Sequence, residues 1–273
     1  MRRLEILQKR LPFVCGTARQ TGEDFTALLL RYLALPKEPL AITVTLLTGV
    51  NPGVRDELHI DSMLGAAVVQ SYPVPVSFDG GTKVVPVPLD SLWISEDGLP
   101  LWASSLFYTL GGVFRDKRYW HKRYPTGHLE WSVKQSANTS AGRWKEYRVP
   151  LLPRVMDTEQ DACLRCLCIG NKEEIERLVP YLTHIGKKGT QGYGRVLSWT
   201  VEPFALHPDA ARVSILNHRP APAAYYYETY GNDLASDWII QGWTPPYWYA
   251  PWHRPCLVRS EPDFFESIPP WIS

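Results

Sequence analysis

Ten consecutive residues, Gly186-Lys187-Lys188-Gly189-Thr190-Gln191-Gly192-Tyr193-Gly194-Arg195, hold four glycines and three cations with no acid among them. Glycine takes φ > 0 freely and lets another backbone approach with no Cβ in the way. Successive N–H groups in such a turn line a concavity suited to an anion. Lys187, Lys188 and Arg195 add full charges beside those groups, which suits a chain of phosphates. A glycine-rich loop alone is a weak signal, so its place between the neighbouring elements carries the argument.

That place is readable. Asp161–Ile169 is short, apolar and Cys-rich, and reads as a buried strand that Gly170 ends. Asn171 is a good N-cap, with Glu174 three residues on as in a capping box. Ile175, Leu178, Val179 and Leu182 follow at helical spacing, with Pro180 set to kink the helix. Gly186 is the natural C′ residue. Val196–Pro203 then reads as a strand. The loop thus follows a helix C-terminus, whereas phosphate loops of the Walker or dinucleotide type precede a helix N-terminus. It also ends Gly-Tyr-Gly-Arg and lacks the Gly-Lys-Ser or Gly-Lys-Thr that a nucleotide hydrolase needs.

Elsewhere, residues 1–38 read as an N-terminal extension in which Phe25, Leu28, Leu29 and Tyr32 mark a short helix. Leu40–Val50 is a strong strand, Asn51-Pro52-Gly53 a turn, and Asp56–Gln70 a helix carrying Ile60, Met63, Leu64 and Ala67. Residues 72–90 alternate Pro and Val as an irregular edge. Asp90–Tyr108 suggests strands or turns with a short helix near Ser104. His128–Gln135 and Arg143–Pro150 are placed to pair as a long hairpin. Two strand–helix units, 40–70 and 161–203, flank this insertion. The expected class is α+β: a ferredoxin-like or RRM-like core over residues 39–216, with the glycine-rich loop, a basic hairpin insertion at 115–150 and an irregular aromatic-rich C-terminal region over 217–273.

The net charge of +1 over 273 residues gives no global sign of a polyanion partner, but its distribution does. Between Arg115 and Arg148 stand nine cations, including Lys117, Arg118, Lys122, Arg123, Arg143 and Lys145, against three acids. Such a patch steers a polyanion, or is simply a solvated charged hairpin. Five cysteines, Cys15, Cys163, Cys166, Cys168 and Cys256, fit a reducing cytoplasm. Cys163-x-x-Cys166 lacks two further zinc ligands, and alternation puts Cys166 and Cys168 on one strand face and Cys163 on the other, so a core role is expected and no metal or other cofactor. No apolar run has the length of a membrane span, and the first residues do not form a targeting segment. The tail's aromatics, among them Tyr225-Tyr226-Tyr227, Trp238, Trp243, Trp248 and Trp252, either pack over a core or partner or stack on bases.

The strand, helix, glycine loop, strand order resembles the RAMP superfamily of CRISPR-associated proteins. His59-Ile60-Asp61-Ser62-Met63-Leu64-Gly65-Ala66-Ala67 is similar to the Leu-Asp-Gly-Leu-Leu-Ala pattern that opens the first helix of such subunits, with Ser62 where glycine is usual. Val87-Pro88-Leu89, Trp102-Ala103-Ser104-Ser105, the run from Lys117 to Arg123, and Gly242-Trp243-Thr244-Pro245-Pro246-Tyr247-Trp248 look like the type IV version of the fifth Cas family. The resemblance spans roughly residues 40–258 and leaves residues 1–38 unmatched.

It implies a non-enzymatic subunit of a type IV effector complex that binds the 5′ handle of the crRNA. Such a subunit contacts the backbone and large subunits and meets target DNA indirectly or at the protospacer-adjacent motif. On that reading Gly186, Lys187, Lys188, Gly189, Gln191, Gly192, Tyr193, Gly194 and Arg195 serve the RNA. So do Lys117, Arg118, Lys122, Arg123, Arg143 and Lys145, with Tyr119, Trp120 and His121 as stacking rings. A related branch cleaves repeat RNA without metal; His121, His128 and His184, with Lys117 or Lys188, are the residues that chemistry would use. A scaffold resting on the aromatic tail is the third class.

Overall fold

The computed structural model describes residues 25–52, 57–72, 84–110, 113–115, 118–123, 146–151, 154–156, 162–205, 207, 210–212, 215, 219–230 and 238–257. In chain order the helices are α1 (Phe25–Ala34), α2 (Ile60–Gln70), α3 (Lys172–Leu178) and α4 (Ala223–Tyr230). The strands are β1 (Glu38–Leu46), β2 (Ser91–Ile94), β3 (Pro100–Trp102), β4 (Tyr108–Thr109), β5 (Val113–Arg115), β6 (Arg118–Arg123), β7 (Glu146–Leu151), β8 (Arg154–Met156), β9 (Ala162–Gly170), β10 (Val196–Pro203), β11 (Ala221–Pro222), β12 (Trp238–Gln241) and β13 (Arg254–Leu257). The largest sheet runs β10-β1-β9-β4, with every neighbour antiparallel. This is mixed helix and antiparallel sheet, the α+β class expected.

Alternation along β1 sets the core. Leu40, Ile42, Val44 and Leu46 are buried, and the first three stand directly opposite Cys168, Cys166 and Leu164 on β9. A strand's side chains change face at every residue, so these seven line one surface. Onto it pack Phe25, Leu28, Leu29 and Tyr32 of α1, Ile60, Leu64, Ala67 and Val68 of α2, and Ile175 and Leu178 of α3. Each such burial is worth about 1.5–3 kcal/mol against exposure.

The other face of the sheet is mixed. Ala41, Leu167 and Ile169 meet Ala103, Ala211 and Ile215 in a small second cluster. Beyond it, Arg165 Nε donates to Thr43 Oγ1 at 3.0 Å, and Cys163 Sγ lies 3.4 Å from Thr45 Oγ1. The cysteines therefore divide as alternation requires: Cys166 and Cys168 are buried, their thiols pushed up by desolvation, and Cys163 sits half-buried on the opposite face.

The C-terminal region folds back on this body. β11, β13 and β12 form a three-stranded antiparallel sheet. Tyr225 and Tyr226 of α4, with Trp243, are buried in the same core as β1 and α2. Trp248 stays 76% exposed.

A polar knot holds the region down. Asp61, in the first turn of α2, and Arg219, just before β11, form a buried ion pair at 3.3 Å, with side chains 0% and 1% exposed. Arg219 Nη1 donates to the Trp102 carbonyl, and to Ser104 O and Oγ at 3.1 and 3.2 Å. Its Nη2 donates to Trp243 O at 2.9 Å and Tyr247 Oη at 3.1 Å. Tyr247 Oη donates to the Asp61 carboxylate, 2.7 Å from Oδ2, and the Ser62 amide donates to Oδ1 at 2.7 Å. Burial and the Asp61 charge push the Tyr247 phenol well above its ordinary range, so it stays a donor. The His59 ring stacks on Tyr247 at 3.9 Å.

Some local expectations give way. The segment around Ser104 is extended and bridges Cys168, with no helix, because Ser104 also lies against Arg219. α3 ends at Leu178 in a 3-10 turn over Val179–Tyr181, because Pro180 cannot continue the α-helical ladder. Gly186 therefore lies beyond the helix end and is not its C′ residue. Asn171 caps α3 as expected, its Oδ1 accepting from Glu174 N at 3.0 Å. The reciprocal half of the capping box is absent, since Asn171 N donates to Pro88 O and the Glu174 carboxylate pairs with Arg177. β7 pairs with β6, joining Arg118 to Leu151 through Arg123 to Glu146; His128–Gln135, the expected partner, lies outside the described residues.

Replacing Arg219 by Met leaves the Asp61 charge buried and uncompensated. The expected loss is about 3–5 kcal/mol, read from urea unfolding, with partial recovery on adding Asp61→Asn. A loss below 1 kcal/mol would show that the pair contributes little to stability.

Candidate nucleic-acid interface

The glycine-rich loop is built against the segment that leaves β1. The Ile185 amide donates to Gly194 O at 2.8 Å and the Val196 amide to Thr183 O at 2.9 Å, so the two arms of the loop close on each other at the His184–Arg195 bridge. Three further bonds tie it to residues 47–51: Lys187 N to Asn51 O at 2.7 Å, Gly194 N to Gly49 O at 2.9 Å, and Leu47 N to Arg195 O at 2.8 Å. Thr48 completes the clasp. Its hydroxyl accepts from Arg195 N at 3.0 Å and donates to Gly192 O at 2.7 Å. Nothing local in the sequence marked Thr48 or Asn51 for this work.

The glycines answer to different needs. Gly186 (φ +75°) and Gly194 (φ +64°) lie where a Cβ would come within 2.5 Å of Asn51 O and 2.0 Å of Ile185 O. Gly192 (φ +87°) has open space around it and is needed for its conformation alone. Lys188 takes the left-handed region at φ 67°, ψ 32°, which a side chain adopts at a cost. The tip, Gly189–Gln191, is a 3-10 turn.

This frame fixes what the loop presents. Lys187, Thr190, Gln191 and Arg195 are exposed, and Lys188 and Tyr193 half-buried. The amides of Ile185, Lys187, Gln191, Gly192, Gly194 and Arg195 are spent on the protein's own acceptors. Those of Gly186, Gly189, Thr190 and Tyr193 donate to no acceptor among the described residues. The groups left for a ligand therefore narrow to a few amides and the three cationic side chains. His184 is exposed beside the loop, its Nδ1 3.1 Å from Thr183 Oγ1.

Of the second basic group, Arg118, Tyr119, Trp120, His121, Lys122 and Arg123 all fall on β6, where the register sets His121 opposite Arg148 and Arg123 opposite Glu146. Lys117, Arg143, Lys145 and His128 lie outside the described residues. Among the described residues no group of three or more His, Cys, Asp or Glu could hold a metal, and no helix is long and apolar enough to cross a membrane.

Residues 134–258 match the model of the family described as CRISPR type IV associated protein Csf3. Over that span the chain is similar to a type IV CRISPR-associated protein. The match agrees with the type IV CRISPR-associated group that the sequence resembles. The matched span runs from before β7 to the end of β13 and includes the whole loop. No curated protein matches the chain.

The glycine geometry ranks three substitutions. Gly192→Ala should cost about 1–2 kcal/mol from its left-handed backbone alone. Gly186→Ala and Gly194→Ala also drive a methyl into a carbonyl and should cost about 3 kcal/mol or more. Unfolding midpoints of the three variants check the order; equal losses would show that close backbone contact adds nothing.

Proposed function

We propose that this chain is the non-catalytic guide-binding subunit of a type IV CRISPR ribonucleoprotein, holding the repeat-derived 5′ handle of the crRNA. The observation that carries this reading is the clasped loop: a turn tied to the β1 segment at both ends, with Lys187 and Arg195 in solvent and Lys188 half-exposed beside them. A kinked single strand of RNA is recognised through its phosphates plus a few stacking or edge contacts. Cations held on a fixed turn meet phosphates without first losing loop entropy. Tyr193, between two glycines, is the stacking ring nearest them.

The architecture supports the same reading. β1, α2, β4, β9, α3 and β10 follow in the order strand, helix, strand, strand, helix, strand, with the sheet running β10-β1-β9-β4. That order supports the reading of a ferredoxin-like core. We read the β6–β7 hairpin, which carries Arg118, Lys122 and Arg123 along one strand, as a second guide-contacting element. The subunit's neighbours are then the backbone and large subunits, with target DNA met through them or at the protospacer-adjacent motif.

The test is binding of labelled repeat RNA in EDTA over a range of salt. Replacing Lys187 and Lys188 together by Ala removes two phosphate contacts. The slope of log affinity against log salt should fall in magnitude by about 1.4, with the far-UV circular dichroism unchanged. An unchanged slope would overturn the phosphate role. Cleavage of the RNA, abolished by His121→Ala or His184→Ala, would replace the reading with a metal-free endoribonuclease.

A further inference from the structure

A cavity of about 320 Å³ opens between the β2–β3 turn, the start of α4 and β13. None of its lining residues belongs to the loop, β1, α3 or β10, so it is separate from the surface above. Its walls are aromatic and acidic: Trp93 and Trp243, with ring centres 5.6 Å apart, stand with Glu96, Asp97 and Glu228. The one cation there, Arg254, is already committed. Its Nη2 is 3.0 Å from Asp97 Oδ2, and its Nη1 donates to the carbonyls of Pro251 and His253, each at 2.9 Å.

The remaining charges are unbalanced. Glu228 Oε2 accepts from Trp93 Nε1 at 2.7 Å, and this neutral donor orients the carboxylate without cancelling its charge. Glu96 is exposed and has no partner among the described residues. Two uncompensated carboxylates beside an indole repel a phosphate strand and attract a cation. A cation over the indole face gains further, and the volume is in the range of small-ligand sites. Trp243 lines the same cavity, is 1% exposed, and its indole N–H has no acceptor among the described residues.

We propose that this cavity receives an arginine side chain of a protein partner. The planar guanidinium stacks on Trp93 and forks onto a carboxylate, which the point charge of lysine cannot do. A single arginine seated in a concave pocket is the kind of anchor that dominates an interface. The site is independent of the RNA reading and stands if that reading fails.

The test uses the full chain labelled with 5-fluorotryptophan, the Trp93 signal being assigned with Trp93→Phe. The probes are Nα-acetyl-arginine methylamide, its lysine counterpart and guanosine monophosphate. The arginine amide should shift the Trp93 and Trp243 fluorine signals saturably at concentrations on the order of 10 mM, with the lysine probe at least about threefold weaker. Glu96→Gln, on an exposed side chain that folding does not need, should raise the arginine Kd about threefold, and adding Glu228→Gln about tenfold or more. Three results would overturn the proposal: no shift with the arginine probe, an affinity indifferent to Glu96→Gln, or tighter binding of guanosine monophosphate, which would make the cavity a base pocket.

Discussion

Arg219 and Asp61 are the contact on which the two halves of the structure depend. They are separated by 158 positions in the chain and meet with almost no solvent access. Burying two charges costs more than their attraction returns unless hydrogen bonds satisfy what is left over. Here they do for all but Arg219 Nε, which has no partner among the described residues: the guanidinium reaches the carbonyls of Trp102, Ser104 and Trp243, and the carboxylate takes the Ser62 amide and the Tyr247 hydroxyl. The partners lie on three separate pieces of chain. The pair thus locates the start of α2, the end of the β2–β3 hairpin and the segment after β12 relative to one another. A nonpolar contact of the same size would be less selective about register.

The same economy governs the loop. A run so rich in glycine has a high conformational entropy when free, and the fold removes it with bonds to residues 47–51 and across the neck of the loop. Using its amides for anchoring leaves fewer for a ligand. The loop is therefore a rigid mount for cations more than an amide cradle, and recognition that rests on Lys187, Lys188 and Arg195 is electrostatic and salt-sensitive. The cavity at Trp93 has the opposite polarity and sits among different elements. On the two proposals together, one chain would offer a surface for a polyanion and a separate pocket for a cationic side chain.

Much of this was legible in the chain. β1, β9 and β10 follow from short apolar runs bounded by turn residues, and α3 begins where Asn171 caps it. The placement of Cys163 against Cys166 and Cys168 follows from a strand's period of two. What was hidden is long-range. Asp61 stood within a motif, but nothing near Arg219 marks it as its partner. Thr48 is an ordinary threonine at the end of a strand until Arg195 and Gly192 reach it. α3 ends earlier than its apolar spacing suggests because Val179 and Leu182 keep that spacing on either side of Pro180, which stops the ladder; both are buried, but from a 3-10 turn and the residue after it. The aromatic tail divides between roles that composition cannot separate: Trp243 is core, and Trp248 faces solvent.

The most direct measurement is photocrosslinking of the full chain to repeat RNA carrying 4-thiouridine in its 5′ handle, with the modified peptides located by mass spectrometry. The account predicts adducts within residues 186–195, at Tyr193 or the flanking lysines, lost when salt is raised. Adducts confined to other segments, with the loop unmodified under conditions of full binding, would contradict it.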